Sequence, residues 1–302
     1  VSGYTAAASI ADAVDALARG ARPVAGGTDL VVGARQGKAP LPGDLVAIHG
    51  LGELCRIEQD GDRLVIGALV SHEAIVAHPL VRERLTGLAD ASAIVGSHAT
   101  RHVGTLGGNV MNGSPAMDTG APLICLAAVA ELRSQAGARS VPLDELFLGP
   151  GRTAAEPGEL LVALHVPLPP PGSGSCYVRL EYRRQMEIAV VGAGAAVTVA
   201  DGRVASARIA ITALAPTIRR VPAAERALAG AEPGAESVAA AADAVAAAAT
   251  PISDVRGGAD YRRAMARVIA RRAIEGALAR AGGGELPIPA SDALYGATEV
   301  RS

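Results

Sequence analysis

Residues 99–118 read A-T-R-H-V-G-T-L-G-G-N-V-M-N-G-S-P-A-M-D, a composition that suits neither a packed helix nor a strand. Gly104, Gly107, Gly108 and Gly113 free the backbone for left-handed torsions and close approach, while Thr105, Asn109, Asn112 and Ser114 supply short donors and acceptors. The pattern predicts a long loop able to present backbone N–H groups to an anion. A surface turn would show the same composition, so a second stretch of the same kind carries weight. Residues 22–30, R-P-V-A-G-G-T-D-L, read as a short strand, the pair Gly26-Gly27, then an apolar run opening a helix at Leu30. A strand that turns through two glycines into a helix leaves amides unpaired at the positive end of that helix. Thr28 or Asp29 acting as a plain helix cap accounts for the residues equally well.

The 302 residues exceed the usual domain size of roughly 100 to 200, which predicts two units. Ser9 and Asp12 form a capping-box-like pair ahead of a helix that ends at Gly20. Strands are expected at 44–48, 53–59 and 63–67, with an Asp60-Gly61 turn between the last two. Helices are expected at 71–77, 80–95 and 121–127, and strands around 130–133 and 160–166. The run P-L-P-P-P-G-S-G-S at 167–175 reads as a linker. Beyond it come three strands, at 177–184, 188–200 and 204–214, then helices near 222–229, 236–249 and 260–281. The expected units are 1–170, with subdomains of about 1–55 and 56–170, and 171–302.

Several function classes lose support. With no Trp and a single Phe, Phe147, the chain offers no aromatic platform for single-stranded nucleic acid, and a net charge of −2 without a basic block argues against nucleic acid or an anionic membrane. Cys55, Cys125 and Cys176 are too few and too far apart for a zinc site or an iron–sulfur cluster, which fits a reduced, cytoplasmic setting. No signal peptide and no membrane span is read from the sequence, although Val1 in place of Met leaves an upstream segment open. V-G-A-G-A-A at 191–196 lacks the third glycine of a dinucleotide fingerprint and continues as a strand. His98 and His102 have the spacing of helix metal ligands, yet they fall in the expected loop with no third ligand in view. The arginines at 256–272 suggest a solvated basic helix or a docking face.

Taken together, A-G-G-T-D-L at 25–30 and G-T-L-G-G-N at 104–109, followed by P-A-M-D ending at Asp118, resemble the paired signatures of one family. That family is the flavoprotein, or medium, subunit of the molybdenum hydroxylases of the xanthine dehydrogenase and carbon monoxide dehydrogenase type. R-R-Q-M-E-I-A at 183–189 resembles the start of the family's C-terminal domain, and D-V-R-G-G-A-D-Y-R-R at 254–263 its end.

The resemblance implies an α+β fold: a two-subdomain FAD-binding domain of the vanillyl-alcohol-oxidase/PCMH type, then a C-terminal domain of antiparallel three-stranded sheet and helices. Carried over by motif, Pro23, Val24, Ala25, Gly26, Gly27, Thr28, Asp29 and Leu30 form the first pyrophosphate loop. Thr105, Leu106, Gly107, Gly108 and Asn109 form the second. Asp118 would accept from hydroxyls of the cofactor, since a carboxylate beside a phosphate is repulsive. Val95, Leu161 and Arg179 match positions near the flavin rings, Val95 standing where the family has an aromatic and Arg179 where it has a lysine.

The implied function is electron exit. FAD would sit on this chain, the molybdenum cofactor on a large partner subunit and 2Fe–2S clusters on a small one, assembled as a dimer of heterotrimers. Electrons would leave to NAD, oxygen or another acceptor. The loop A-G-G-T-D, where carbon monoxide dehydrogenases tend to show A-G-G-H-S, tilts the expected substrate towards xanthine or another N-heterocycle. No general acid or base is assigned, because the reactive groups belong to the cofactor. A stand-alone FAD-dependent oxidase and a non-catalytic FAD-binding assembly subunit remain as alternatives.

Overall fold

Three short parallel strands carry the first glycine pair in the computed structural model, which describes residues 3–37, 40–41 and 43–294. The expected unit ends at 1 and 302 lie outside the described residues. Strand β1 (Gly3–Ala6) leads into α1 (Ile10–Ala18), β2 (Arg22–Val24) leads into α2 (Thr28–Arg35), and β3 (Asp44–Ala47) lies between β1 and β2. Ser9 caps α1 by accepting from the Asp12 amide at 3.1 Å, while Asp12 accepts from the Ala8 amide at 3.2 Å. Because the strands are parallel, Gly26 and Gly27 fall at the carboxyl end of β2, the edge at which open α/β sheets bind ligands.

The second unit of structure is antiparallel. It runs through β4 (Ile57–Asp60), β5 (Arg63–Gly67), α3 (His72–Ala77), α4 (Pro79–Arg84), α5 (Thr86–Ala93), α6 (His98–Val103), α7 (Leu106–Met111) and α8 (Gly120–Cys125). It closes with β6 (Val129–Ser134), β7 (Gly137–Pro142), α9 (Leu143–Leu146), the small hairpin β8 (Phe147–Gly149) and β9 (Arg152–Thr153), and β10 (Leu160–Pro167). The sheet order is β4-β5-β10-β6-β7. Leu64, Ile66, Leu132 and Leu164 from its strands share one core with Ile75, Leu88, Leu106 and Leu123 from the helices. A separate core joins α1 to this unit, with Val14, Leu17 and Val46 against Leu54, Leu69 and Leu160.

Local chemistry explains where sequence expectation and structure part. The stretch 99–118 is not one loop: Ser97 and Thr105 accept from the amides three residues on, at 3.2 and 3.1 Å, and each starts a short helix, α6 and α7. The expected helix 80–95 breaks at Leu85, because the amino end of α5 is pinned by Ser175, whose Oγ accepts from the Gly87 amide at 2.9 Å. The expected strand 53–59 begins only at Ile57. Its first half is a 3-10 turn, Gly52–Cys55, that aims the Leu54 carbonyl at the Leu69 amide.

The C-terminal part consists of β11 (Ser173–Leu180), β12 (Val191–Ala200), β13 (Arg203–Thr212), β14 (Arg219–Arg220), α10 (Pro222–Leu228), α11 (Ala235–Ala248), α12 (Ala259–Ala281) and α13 (Ser291–Leu294). Its antiparallel sheet has the three expected long strands and adds the two-residue β14 at the edge. Gly194 lies inside β12, where a Cβ would press against the Ala121 and Pro122 backbone at 3.0 and 3.1 Å, so this glycine serves sheet-to-helix contact. The expected linker shortens to residues 168–172, because β10 runs to Pro167 and β11 starts at Ser173. Arg262 of the basic helix is buried and pairs with Asp254, so that helix is not uniformly solvated.

One buried charge ties these parts together. Asp90 on α5 is 0% exposed and accepts from Arg280 of α12 at 2.6 and 3.0 Å, from the Tyr177 amide at 3.1 Å and from the Ala290 amide at 2.9 Å. Burial pushes its carboxyl up, and Arg280 opposes that. Arg280→Met is expected to lower stability by about 3–5 kcal/mol, since it strands a buried carboxylate. Urea unfolding would measure the loss, and the double variant Asp90→Asn/Arg280→Met is expected to recover part of it.

Candidate functional site

The first glycine loop keeps its donors free. Gly27 is the N-cap of α2 with φ +68° and ψ 3°, a left-handed geometry that costs glycine nothing. The helix therefore starts at Thr28, and neither Thr28 nor Asp29 caps it, which departs from the expected start at Leu30. Among the described residues, no backbone carbonyl accepts from the amides of Gly26, Gly27 or Thr28. The three residues are half-buried, at the positive end of α2. A Cβ at Gly26 would overlap the Val103 carbonyl, so only glycine lets this loop lie against the end of α6.

The second glycine pair works differently. The Leu106 amide donates to Val70 at 2.9 Å, Gly107 to Ala68 at 2.9 Å, Gly108 to the Thr105 hydroxyl at 3.1 Å and Asn109 to the Thr105 carbonyl at 3.0 Å. All four are committed. Gly107 is needed for packing, since a Cβ there would lie 2.6 Å from the Ala68 oxygen. What the stretch offers a ligand is the exposed Gly108 surface and the Asn109 side chain, whose Oδ1 accepts from Thr119 at 2.7 Å and leaves its NH2 donors over.

The two stretches face each other. A Cβ on Gly104 would sit 3.5 Å from the His72 ring and 3.6 Å from the Thr28 hydroxyl, so α2, α3 and the α6–α7 junction meet at one point. Pro23, Val24 and Ala25 lead into it, half-buried on and just after β2, and Leu30 follows in α2. The positions expected near the flavin rings are spread out. Val95 is half-buried beside Gly96, whose carbonyl accepts from the Met186 amide at 2.8 Å. Leu161 is 3% exposed on β10, the strand against which α7 packs.

Asp118 and Arg179 come together as a buried pair. Arg179 Nη1 donates to Asp118 Oδ2 at 2.6 Å, the Tyr177 hydroxyl donates to Oδ1 at 2.8 Å, and Glu181 lies 2.6 Å from Arg179 Nη2. Burial raises the Asp118 carboxyl while Arg179 and Tyr177 pull the other way, and the two acids raise Arg179. The side chain expected at a cofactor hydroxyl thus already has two protein donors. A carboxylate has about four lone-pair sites, so capacity remains. Tyr177, Glu181 and His72 carried no signal in the sequence, because their spacing to Asp118 and Gly104 exists only in the fold.

Two family models divide the chain: an FAD binding domain in molybdopterin dehydrogenase matches residues 1–169, and a CO dehydrogenase flavoprotein C-terminal domain matches 177–277. The chain belongs to the FAD-binding medium subunits of the molybdenum hydroxylases. It is 36% identical over 276 residues to the carbon monoxide dehydrogenase medium chain of Afipia carboxidovorans, covering 90% of this chain and 95% of that one. It is 30% identical over 285 residues to the xanthine dehydrogenase FAD-binding subunit of Escherichia coli O157:H7, covering 93% and 97%. Among solved structures, a carbon monoxide dehydrogenase from Hydrogenophaga pseudoflava superposes with a TM-score of 0.89 at 36% identity, covering 92% and 97%. The α+β expectation holds for this medium-subunit chain, and no helix of its described residues is long and apolar enough to cross a membrane.

His72, at the meeting point of the flavoprotein's two glycine stretches, is 1% exposed, and its Nδ1 has no partner among the described residues. Burial, helped by the Arg101 charge, lowers its pKa to about 4. In the unfolded chain the ring titrates near 6.5, so the unfolded state takes up the proton first as pH falls. The neutral ring's contribution is intact above pH ~6.5 and is lost progressively towards pH ~4, about 3 kcal/mol in all at 1.36 kcal/mol per unit. Urea midpoints between pH 7 and pH 4.5 are expected to fall less steeply for His72→Gln than for the unaltered chain.

Proposed function

We propose that this subunit holds FAD with its pyrophosphate against Gly26, Gly27 and Thr28, and passes electrons from iron–sulfur clusters on a small partner subunit to NAD or another acceptor. The observation that carries this reading is the set of uncommitted amides at the amino end of α2, held against α6 by a glycine that tolerates no side chain. Such donors suit a phosphate group, because they bring partial positive charge without bulk. FAD supplies the redox chemistry when bound. Gly108 and the Asn109 side-chain amide close the pyrophosphate from the opposite wall, with the rest of residues 105–109 acting as their support. Pro23, Val24, Ala25, Asp29 and Leu30 shape the first wall. Val95, Leu161 and Arg179 lie towards the flavin rings, and Asp118 takes a cofactor hydroxyl with its remaining lone pairs.

In the same reading a large subunit carries the molybdenum cofactor, and the whole assembles in the cytoplasm as a dimer of heterotrimers. Two substrate readings follow from different observations. Thr28-Asp29 in the first loop supports xanthine or another N-heterocycle, while the higher identity to a carbon monoxide dehydrogenase medium chain supports carbon monoxide. Assay of the assembled complex with both substrates separates them.

Gly26→Ala is expected to displace the first loop from Val103 and lower FAD affinity at least about tenfold, the worth of one charge-assisted hydrogen bond of roughly 1.5–3 kcal/mol. Gly33→Ala, on the helix that follows the loop and with open space around it, is expected to leave flavin content unchanged. Flavin absorbance per chain after gel filtration reads both. Equal flavin content in the two variants would remove the first loop from the site.

A further inference from the structure

Glu73 on α3 and His98 and His102 on α6 stand beside the point where the two glycine stretches meet. A loop conformation and the lack of a third ligand argue, from the sequence, against a metal site at the histidines. The structure answers both. His98 and His102 lie on a helix, one turn apart, and one potential ligand atom from each histidine and from Glu73 falls within 4.8 Å of the others.

The hydrogen bonds prepare the donors. His102 Nδ1 lies 3.0 Å from the His98 carbonyl oxygen, which can only accept, so Nδ1 carries the hydrogen and Nε2 presents a bare lone pair. A histidine ligand commonly donates its other ring N–H to a backbone carbonyl in this way. His98 Nδ1 lies 3.6 Å from Glu73 Oε2, and the two rings meet edge to face with centroids 4.9 Å apart. The Glu73 carboxylate has Arg101 Nε and His98 Nδ1 each at 3.6 Å, too long for a hydrogen bond, so its lone pairs are not spent on either.

We propose that Glu73, His98 and His102 form a binding site for one divalent first-row transition metal ion of the zinc class. Two imidazoles and a carboxylate suit zinc, nickel or copper rather than magnesium or calcium. Bonds of 2.0–2.2 Å require the ligand atoms to close to about 3.3 Å of one another. His98 and His102 are exposed and Glu73 half-buried, so side-chain torsions alone supply that movement. Arg101, whose Nη2 lies 3.5 Å from His98 Nδ1 and whose Nε lies 3.6 Å from Glu73 Oε2, must turn away from both as the ion enters. Three protein ligands leave the fourth position to water. The ion would staple α6 to α3, and because the Val103 carbonyl at the end of α6 abuts Gly26, it would brace one wall of the cleft.

Calorimetric titration of the chelator-treated full chain with zinc chloride tests this. One equivalent with a Kd below about 100 µM is expected. His98→Gln/His102→Gln and, separately, Glu73→Gln are each expected to weaken binding at least about tenfold. The exposed Cys55 is the competing soft ligand, and Cys55→Ser is expected to bind as the unaltered chain does. Weaker binding by the unaltered chain, a smaller effect of both the histidine and the glutamate variants, or loss of binding in Cys55→Ser would each overturn the site. Far-UV circular dichroism of the variants, at exposed or half-buried positions, should match that of the unaltered chain.

Discussion

The contact between Gly26 and the carbonyl of Val103 sets how closely the two glycine stretches approach each other. Backbone meets backbone there, which no residue with a Cβ permits. The first wall is a small parallel sheet whose strand β2 ends at the loop, and the second is the α6–α7 junction carried by the antiparallel unit. Because α2 has no buried residue, packing of the helix itself contributes little to the loop's position. The Gly26 approach and the core joining α1 to β10 hold it instead. The amides that this leaves open are the same ones that a helix start always leaves open, here beside the α6–α7 junction.

Much of this was legible in the residues. Gly26-Gly27 after a strand and before an apolar run gave the first loop, and Ser9 with Asp12 gave α1. The second glycine stretch was legible as a partner of the first but not as a conformation. Composition alone read it as loop, whereas Ser97 and Thr105 each begin a helix, and a hydroxyl cap looks the same in sequence as a loop hydroxyl. For the same reason its amides looked available, and they are bonded to Val70, Ala68 and Thr105. Val70 and Ala68 lie more than thirty positions away from the amides they accept from, and no local pattern reports them. Glu73 was invisible as a companion of His98 on the same ground.

Asp118, which the proposed reading sets at a cofactor hydroxyl, also serves the fold. Its carboxylate joins the end of the second stretch to β11 through Tyr177 and Arg179, with Glu181 balancing the second face of the guanidinium. A lysine at position 179 would be a compact point charge with no planar fork to share between two acids. Arginine can therefore stand fully buried between Asp118 and Glu181. The arginine fits a position that holds the two halves together, and it makes Asp118 a fixed acceptor rather than a mobile one.

Electrostatics at the cleft point the same way. His72 is held neutral by burial beside Arg101, Asp118 is already engaged, and the first loop presents backbone dipoles. Dipoles fixed by the fold need no reorganisation when charge at the ligand changes, whereas flexible charged side chains would follow it and trap it. On the proposed reading, a subunit that lets electrons in and out gains from that rigidity, because both redox states of the cofactor would meet the same donors. Substrate choice then has no reason to be written into this chain's cleft. That is consistent with one fold serving relatives named for carbon monoxide and for xanthine at 36% and 30% identity.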